Sequence, residues 1–119
     1  MPLTENVDVL IVGSGPAGMS TALHLMDADR NWNGRVVIVD KAIHPRDKLC
    51  GGGITNGGDN ILEGLGLRYD GPQVVVQELE LIYRGHSHVM NADHVFRVVR
   101  RNEFDHWLAR HGQSRGLTL

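Results

Sequence analysis

Two short apolar runs frame the first forty residues. Residues 7–12 are β-branched and almost continuously apolar, with Asp8 as the one polar interruption, near the start. Residues 35–40 have the same character and end on Asp40. Runs this short and this apolar predict parallel strands buried on both faces. Between them, residues 15–28 carry a helical pattern, with Ala17, Ala22, Leu25 and Met26 as the expected buried stripe and Met19 and Leu23 flanking it. Gly18 and Ala22 are small enough for that helix to pack tightly on a sheet. Residues 27–34 are polar and rich in turn formers, and read as a loop. A strand, helix and parallel strand of these lengths predict a βαβ unit with a right-handed crossover.

The remainder is less regular. Residues 41–60 show no clear period and contain a glycine cluster at 51–53, 57 and 58; they read as a loop that leads into a helix near residues 59–63. Residues 74–82 and 95–99 predict strands. Gln77, Glu78 and Glu80 alternate imperfectly with Val76, Leu79 and Leu81, and residues 85–93 are expected to form the turn between two antiparallel strands. From residue 102 or 103 to about 114 the period becomes helical, with Phe104, Trp107 and Leu108 at i, i+3 and i+4 and His111 completing the turn. Gly116 is a suitable helix stop. Residues 117–119 look like the opening of another strand, and no internal repeat is present.

Composition narrows the class. The chain has 119 residues, 41% hydrophobic and 22% charged, which are globular values expected of one domain. Twelve Lys and Arg against fourteen Asp and Glu leave a net charge of -2, which argues against a nucleic-acid partner. One cysteine, Cys50, excludes a disulfide framework and a multi-cysteine zinc site. No apolar run approaches the ~20 residues of a membrane span, and the first residues lack the pattern of a secretory signal, so the cytoplasm is the expected compartment. Fifteen glycines are nearly twice the ordinary share, and clustered glycine marks backbone that turns sharply or lies against something.

The first cluster carries the chemistry. Gly13-Ser14-Gly15-Pro16-Ala17-Gly18 matches G-x-G-x-x-G, preceded by an apolar strand, followed by a helical pattern, with an acidic residue closing the next strand. Gly13 makes the strand-to-helix turn, Gly15 lets backbone approach a pyrophosphate, and Gly18 permits close helix–strand packing. The open amides and positive end of the helix then face the phosphates. Asp40 at the end of the second strand can accept hydrogen bonds from both ribose hydroxyls, and would repel a 2′-phosphate. His86, His88 and His94 could imitate a metal site, but no carboxylate or thiolate stands at a known spacing from them, so no metal is expected.

Two further segments resemble one family. Arg46-Asp47-Lys48-Leu49-Cys50-Gly51-Gly52-Gly53 is similar to the R-x-K-x-C-G-G segment of geranylgeranyl reductase-like flavoproteins, which belong with the aromatic-hydroxylase-like FAD oxidoreductases of the glutathione-reductase structural class. Arg101-Asn102-Glu103-Phe104-Asp105-His106-Trp107-Leu108 resembles their R-x-x-F-D-x-W-L segment. The resemblance runs over about residues 7–119. It implies an α/β fold: a partial Rossmann-like FAD-binding domain with a parallel sheet and an inserted antiparallel hairpin. It also implies that the FAD pyrophosphate lies at Gly13, Gly15, Pro16, Ala17 and Gly18, and the adenosine ribose at Asp40 and Lys41. The loop 46–53 would follow the ribityl chain toward the flavin, with Arg46 and Lys48 supplying positive charge and Cys50, Gly51 and Gly52 lying close to the cofactor. Arg101 resembles the family arginine that helps hold FAD, with Arg100 a rival for that place. Plainer roles stand beside these: surface charge for Arg46, Lys48 and Arg101, a small residue in a tight loop for Cys50, core packing for Phe104, Trp107 and Leu108, and helix N-terminal electrostatics for Asp105.

In that family the flavin, reduced by an external donor such as NAD(P)H, passes hydride to C=C bonds of isoprenoid chains. An aromatic-hydroxylase-like monooxygenase and a non-catalytic nucleotide-binding or assembly module are the alternatives. Family members run to several hundred residues. The expectation is therefore of the N-terminal third of an enzyme, without its substrate domain, whose full-length form could sit at a membrane surface. The third strand is expected beside the second. The first strand would then have an unpaired edge, inviting a partner chain that completes the sheet. Without such a partner the chain is expected to bind FAD weakly or not at all, which isothermal titration tests.

Overall fold

The structure, a computed structural model, describes residues 6–119. The fold is mixed α/β, with a two-stranded parallel sheet and a three-stranded antiparallel sheet. The chain divides into two compact units, residues 1–46 with 105–119, and residues 47–104. Helix α3, Arg101–Ser114, starts in the second and continues in the first.

The first unit is the predicted βαβ arrangement. Strand β1 (Val9–Val12), helix α1 (Pro16–Ala28) and strand β2 (Val36–Val39) follow one another, and β1 pairs with β2 in parallel, Val9 opposite Val36 through Val12 opposite Val39. Asp8, ahead of β1, forms an exposed ion pair with Arg35 at 2.8 Å, so the polar interruption ties the two strand starts together. A short 3-10 turn, Arg30–Trp32, lies within the expected loop. The third strand opens where it was anticipated: Thr118 bridges Val37 in parallel, and its carbonyl accepts from the Ile38 amide at 2.9 Å.

The buried face of α1 keeps Ala22 but is turned toward the residues expected to flank it. Met19, Ala22 and Leu23 are buried, Leu25 and Met26 are half-buried, and Ala17 is exposed. The N-terminal turn carries Ala17 on its open side, and the inner face is set by the close approach at Gly18. Val36 and Ile38 of β2 and Leu108, Ala109 and Leu117 complete the buried set of this unit. At Gly112 any Cβ would press on the Met19 side chain, so the absent side chain makes room for that core methionine.

In the second unit, strand β3 (Gly53–Thr55), helix α2 (Asn56–Gly64), strand β4 (Gln73–Tyr83) and strand β5 (His86–Val99) form a sheet of order β3-β5-β4. Thr55 caps α2, its hydroxyl accepting from the Gly58 amide at 3.2 Å. Two expectations change here. Strand β3 forms inside the segment read as loop, because Gly53, Ile54 and Thr55 find partners in Val98, Arg97 and Phe96 that only the fold brings near. Residues 85–93 are not a turn. The turn is Arg84 and Gly85 alone, both with positive φ (48° and 80°), and the ladder resumes at Tyr83 opposite His86. Two consecutive positive-φ residues give a turn whose twist matches paired strands, so residues 86–93 continue as strand. The imperfect alternation in β4 has a physical counterpart in a register irregularity between Val76 and Glu78.

Leu62, Leu65, Leu67, Tyr69, Val99 and Phe104 are buried in this unit, with Tyr69 edge-on to Phe104 at 5.2 Å. Arg97 is buried as well, donating to Asp59, the Gln73 side chain and the Tyr69 carbonyl. Trp107, expected in the core with Phe104 and Leu108, is half-buried and stands edge-on to His111 at 4.8 Å. Among the described residues no helix is long and apolar enough to cross a membrane.

Candidate dinucleotide site

The turn after β1 is shaped by two glycines. Gly13 has φ 105° and its amide donates to the Val39 carbonyl at 2.7 Å, so β1 and β2 stay paired up to the bend. Any Cβ on Gly18 would fall on the Gly13 carbonyl oxygen and against Ile11, so helix and strand approach here as only glycine allows. Gly15 is the N-cap of α1, with no side chain capping the helix, and Pro16 opens the first turn. Helix geometry leaves the amides of the first turn without intrahelical partners. The glycine bend therefore presents the positive helix end at Gly15, Ala17 and Gly18, an arrangement suited to an anion.

Asp40 follows β2 and closes on this turn. Its Oδ2 accepts from the Ser14 amide at 2.7 Å and the Ser14 hydroxyl at 2.6 Å, and its Oδ1 accepts from the Ala42 amide at 2.9 Å. The Ser14 hydroxyl, the Ala42 amide and the Ser14 amide together hold the Asp40 carboxyl well below the usual carboxylate range; partial burial opposes them, and the Arg46 charge adds slightly. One amide of the phosphate-type turn is thus already taken by protein, and the acceptor capacity of Asp40 is partly spent. The sequence expectation that Asp40 serves both ribose hydroxyls meets a carboxylate with fewer open lone pairs than assumed.

Beside Asp40 lies a cavity of about 390 Å³ lined by β2, the loop after it and α3, including Val39, Asp40, Ile43, His44, His106 and Gln113. His44 Nε2 is 2.7 Å from the Ser14 hydroxyl. The His44 and His106 rings stand 6.4 Å apart, and their Nδ1 atoms are buried without a protein partner. A mostly apolar recess with a few polar groups beside an acidic residue can take a flat base and its sugar.

The expected site residues fall into two sets. Gly13, Gly15, Pro16, Ala17, Gly18, Asp40, Lys41 and Arg46 lie in the first unit. Lys41 is exposed. Arg46 pairs with Asp105 at 2.9 Å, and Asp105 is fully buried. Asp105 therefore anchors the post-β2 loop to α3, a different task from the helix-end electrostatics expected of it. Lys48, Cys50, Gly51, Gly52 and Arg101 lie in the second unit. Lys48, Cys50 and Gly51 are exposed, and the Cys50 sulfur accepts from the Gly52 amide at 3.4 Å. Gly52, with φ 73°, is pressed against the Val99 carbonyl, while its own carbonyl accepts from the Val99 amide at 2.9 Å. Arg101 opens α3 and is half-buried.

Sequence reasoning missed Ser14, His44, His106 and the Arg46–Asp105 pair. Ser14 occupies a free position of its motif, and the histidines matter only through contacts across the chain. Arg97 was missed too: with Asp59 and His94 it lines a second, polar cavity of about 370 Å³, where His94 Nε2 stands 3.7 Å from Asp59. His86 and His88 lie two apart on β5, side by side on one exposed face. Among the described residues no group of three or more His, Cys, Asp or Glu is placed to hold a metal ion.

The profile of the FAD binding domain matches residues 6–118, nearly the whole chain. The chain belongs to the FAD binding domain family. The chain is 42% identical over 55 residues to the menaquinone reductase of Mycobacterium tuberculosis, a stretch covering 46% of this chain and 12% of that protein. Its fold is similar to a geranylgeranyl bacteriochlorophyll reductase-like protein of Thermoplasma acidophilum, with TM-score 0.72 and 23% identity over 96% of this chain and 29% of the other. It is equally similar to a flavin-dependent brominase, with TM-score 0.75, 24% identity and the same coverages. This FAD binding domain chain thus spans between about an eighth and a third of the length of the proteins it resembles.

Proposed function

We propose that this chain is the dinucleotide-binding portion of an FAD-dependent oxidoreductase that reduces C=C bonds of isoprenoid chains. The observation that carries the FAD assignment is the uncapped N-terminus of α1 at the glycine bend, with Asp40 alongside, inside a domain of the FAD binding family. Bound FAD would supply the hydride chemistry that no side chain here provides. The amides of Gly15, Ala17 and Gly18 would face the pyrophosphate, Asp40 and Lys41 the adenosine ribose, and the recess at His44 and His106 the base. Arg46, held by Asp105, would keep a positive charge near the phosphates. Lys48, Cys50, Gly51, Gly52 and Arg101 would serve the ribityl and flavin end.

The 46–53 segment and the similarity to a menaquinone reductase and to the fold of a geranylgeranyl reductase-like protein support the reductase reading. The likeness to a brominase favours a second reading, an aromatic-hydroxylase-like monooxygenase. NAD(P)H is the proposed donor in both. The test is the visible spectrum of the purified protein supplied with FAD, followed by product analysis of the full-length enzyme. Bound flavin absorbs at about 450 nm. A saturated prenyl chain supports the reductase, a hydroxylated ring the monooxygenase, and a protein that never takes up flavin leaves a non-catalytic module.

A further inference from the structure

We propose that Ser14 turns Asp40 into a reader of a single ribose hydroxyl, through a hydrogen-bonded chain that runs from His44 to Ser14 to Asp40 in one direction. The inference rests on the reading of this site as the holder of an adenosine diphosphate group.

The direction follows from counting protons. Ser14 is fully buried, and its hydroxyl lies 2.6 Å from Asp40 Oδ2 and 2.7 Å from His44 Nε2. A hydroxyl carries one hydrogen and two lone pairs. The donors around Asp40 keep it ionised through the neutral range, so it only accepts. The Ser14 hydrogen therefore goes to Asp40, and His44 must donate its own Nε2–H to the Ser14 oxygen. Neutral His44 is then the Nε2–H tautomer, and its Nδ1 is a bare lone pair. That atom is buried without a partner, which costs less for an acceptor than for an N–H donor.

The same count fixes what Asp40 has left. A carboxylate offers about four lone-pair sites. Ser14 takes two on Oδ2, through its amide and its hydroxyl, and the Ala42 amide takes one on Oδ1. One site on Oδ1 remains. A ribose presents two hydroxyls, and only one of them finds a full charge-assisted acceptor there. Ser14 thereby acts as a positioning residue: it saturates Oδ2 and leaves Oδ1 as the reading atom.

The test uses the purified chain with ADP, 2′-deoxy-ADP and 3′-deoxy-ADP as probes, followed by NMR titration to millimolar concentration. One deoxy analogue is expected to bind about tenfold more weakly than ADP, and the other within about twofold of it. Ser14→Ala reopens Oδ2, so the two analogues should then differ by less than about threefold. In parallel, nitrogen-15 NMR of the histidine rings in the wild-type chain should show His44 as the Nε2–H tautomer. This measurement needs neither ligand nor variant, and decides the direction of the chain should Ser14→Ala not fold. Equal losses for both analogues, an asymmetry unchanged in Ser14→Ala, or an Nδ1–H tautomer at His44 each overturn the proposal while leaving the dinucleotide reading intact. A wild-type chain that answers to none of the three nucleotides, nor to FAD, overturns the dinucleotide reading and this proposal with it.

Discussion

Gly18 and Asp40 show how much single residues decide here. The Gly18 Cα faces the Gly13 carbonyl with no space for a methyl group. Gly18→Ala must push α1 away from β1, and overpacking of this kind costs about 2 kcal/mol. Urea denaturation should register that loss, together with weaker ADP binding. Asp40 sets an acid limit. Its folded pKa lies below the ~3.9 of an unfolded aspartate. Ionisation therefore favours the folded state. That contribution is complete above about pH 4, and is lost as pH falls from there through the folded value. In Asp40→Asn the urea midpoint should depend less on pH below about 4 than in the wild type; an unchanged slope would show that the Ser14 and Ala42 contacts do not form in solution. Gly18 and Asp40 were legible from spacing alone, since the motif names the positions where a Cβ or a missing carboxylate is intolerable. Ser14 was not, because its motif position accepts many residues and its role comes from two partners far along the chain.

Between elements, the Arg46–Asp105 pair joins the loop after β2 to α3. Arg46→Ala would leave Asp105 as a fully buried carboxylate stripped of this cation, at a cost of about 3 kcal/mol. Thermal unfolding should show the loss, and Asp105→Asn in the same background should recover part of it. A fall no larger than that of a surface arginine would contradict the pairing. The β4–β5 turn makes the opposite kind of prediction. Arg84 holds φ 48° at a position that favours asparagine, so Arg84→Asn should raise stability by about 0.5 kcal/mol, read as a higher melting temperature. The strand, helix and strand of the first unit were legible because each satisfies its period within its own length. The long β5 was not, because exposed residues 86–93 have no apolar alternation, and the ladder to β4 alone holds them as strand.

For the whole molecule, the phosphate-type turn, Asp40, Arg46 and the recess beside Asp40 belong to one unit, while Lys48, Cys50, Gly51, Gly52 and Arg101 belong to the other. On the proposed reading, the first unit holds the adenosine diphosphate half of the cofactor. Calorimetry is expected to give FAD and ADP affinities within about threefold of each other; an FAD preference beyond tenfold would show that residues 47–104 add contacts to the flavin. Strand β1 was expected to be buried on both faces, but one face is open, with Val12 81% and Leu10 56% exposed. An exposed apolar patch favours association. Val12→Lys should lower concentration-dependent association, as read by sedimentation.

Length, periodicity and the glycine spacing determined the βαβ unit, a helix from residue 102 or 103 to about 114, the glycine bend and the carboxylate that ends the second strand. Each of these depends on backbone sterics and burial that act within a few residues. Tertiary structure alone decided what Asp40 is bonded to, which tautomer His44 must take, that Arg46 pairs with Asp105, and that residues 53–55 become a strand. Apart from the Ala42 contact, these depend on partners 26 to 59 positions apart, which no local pattern encodes, because a donor's partner is chosen by the fold that brings it near.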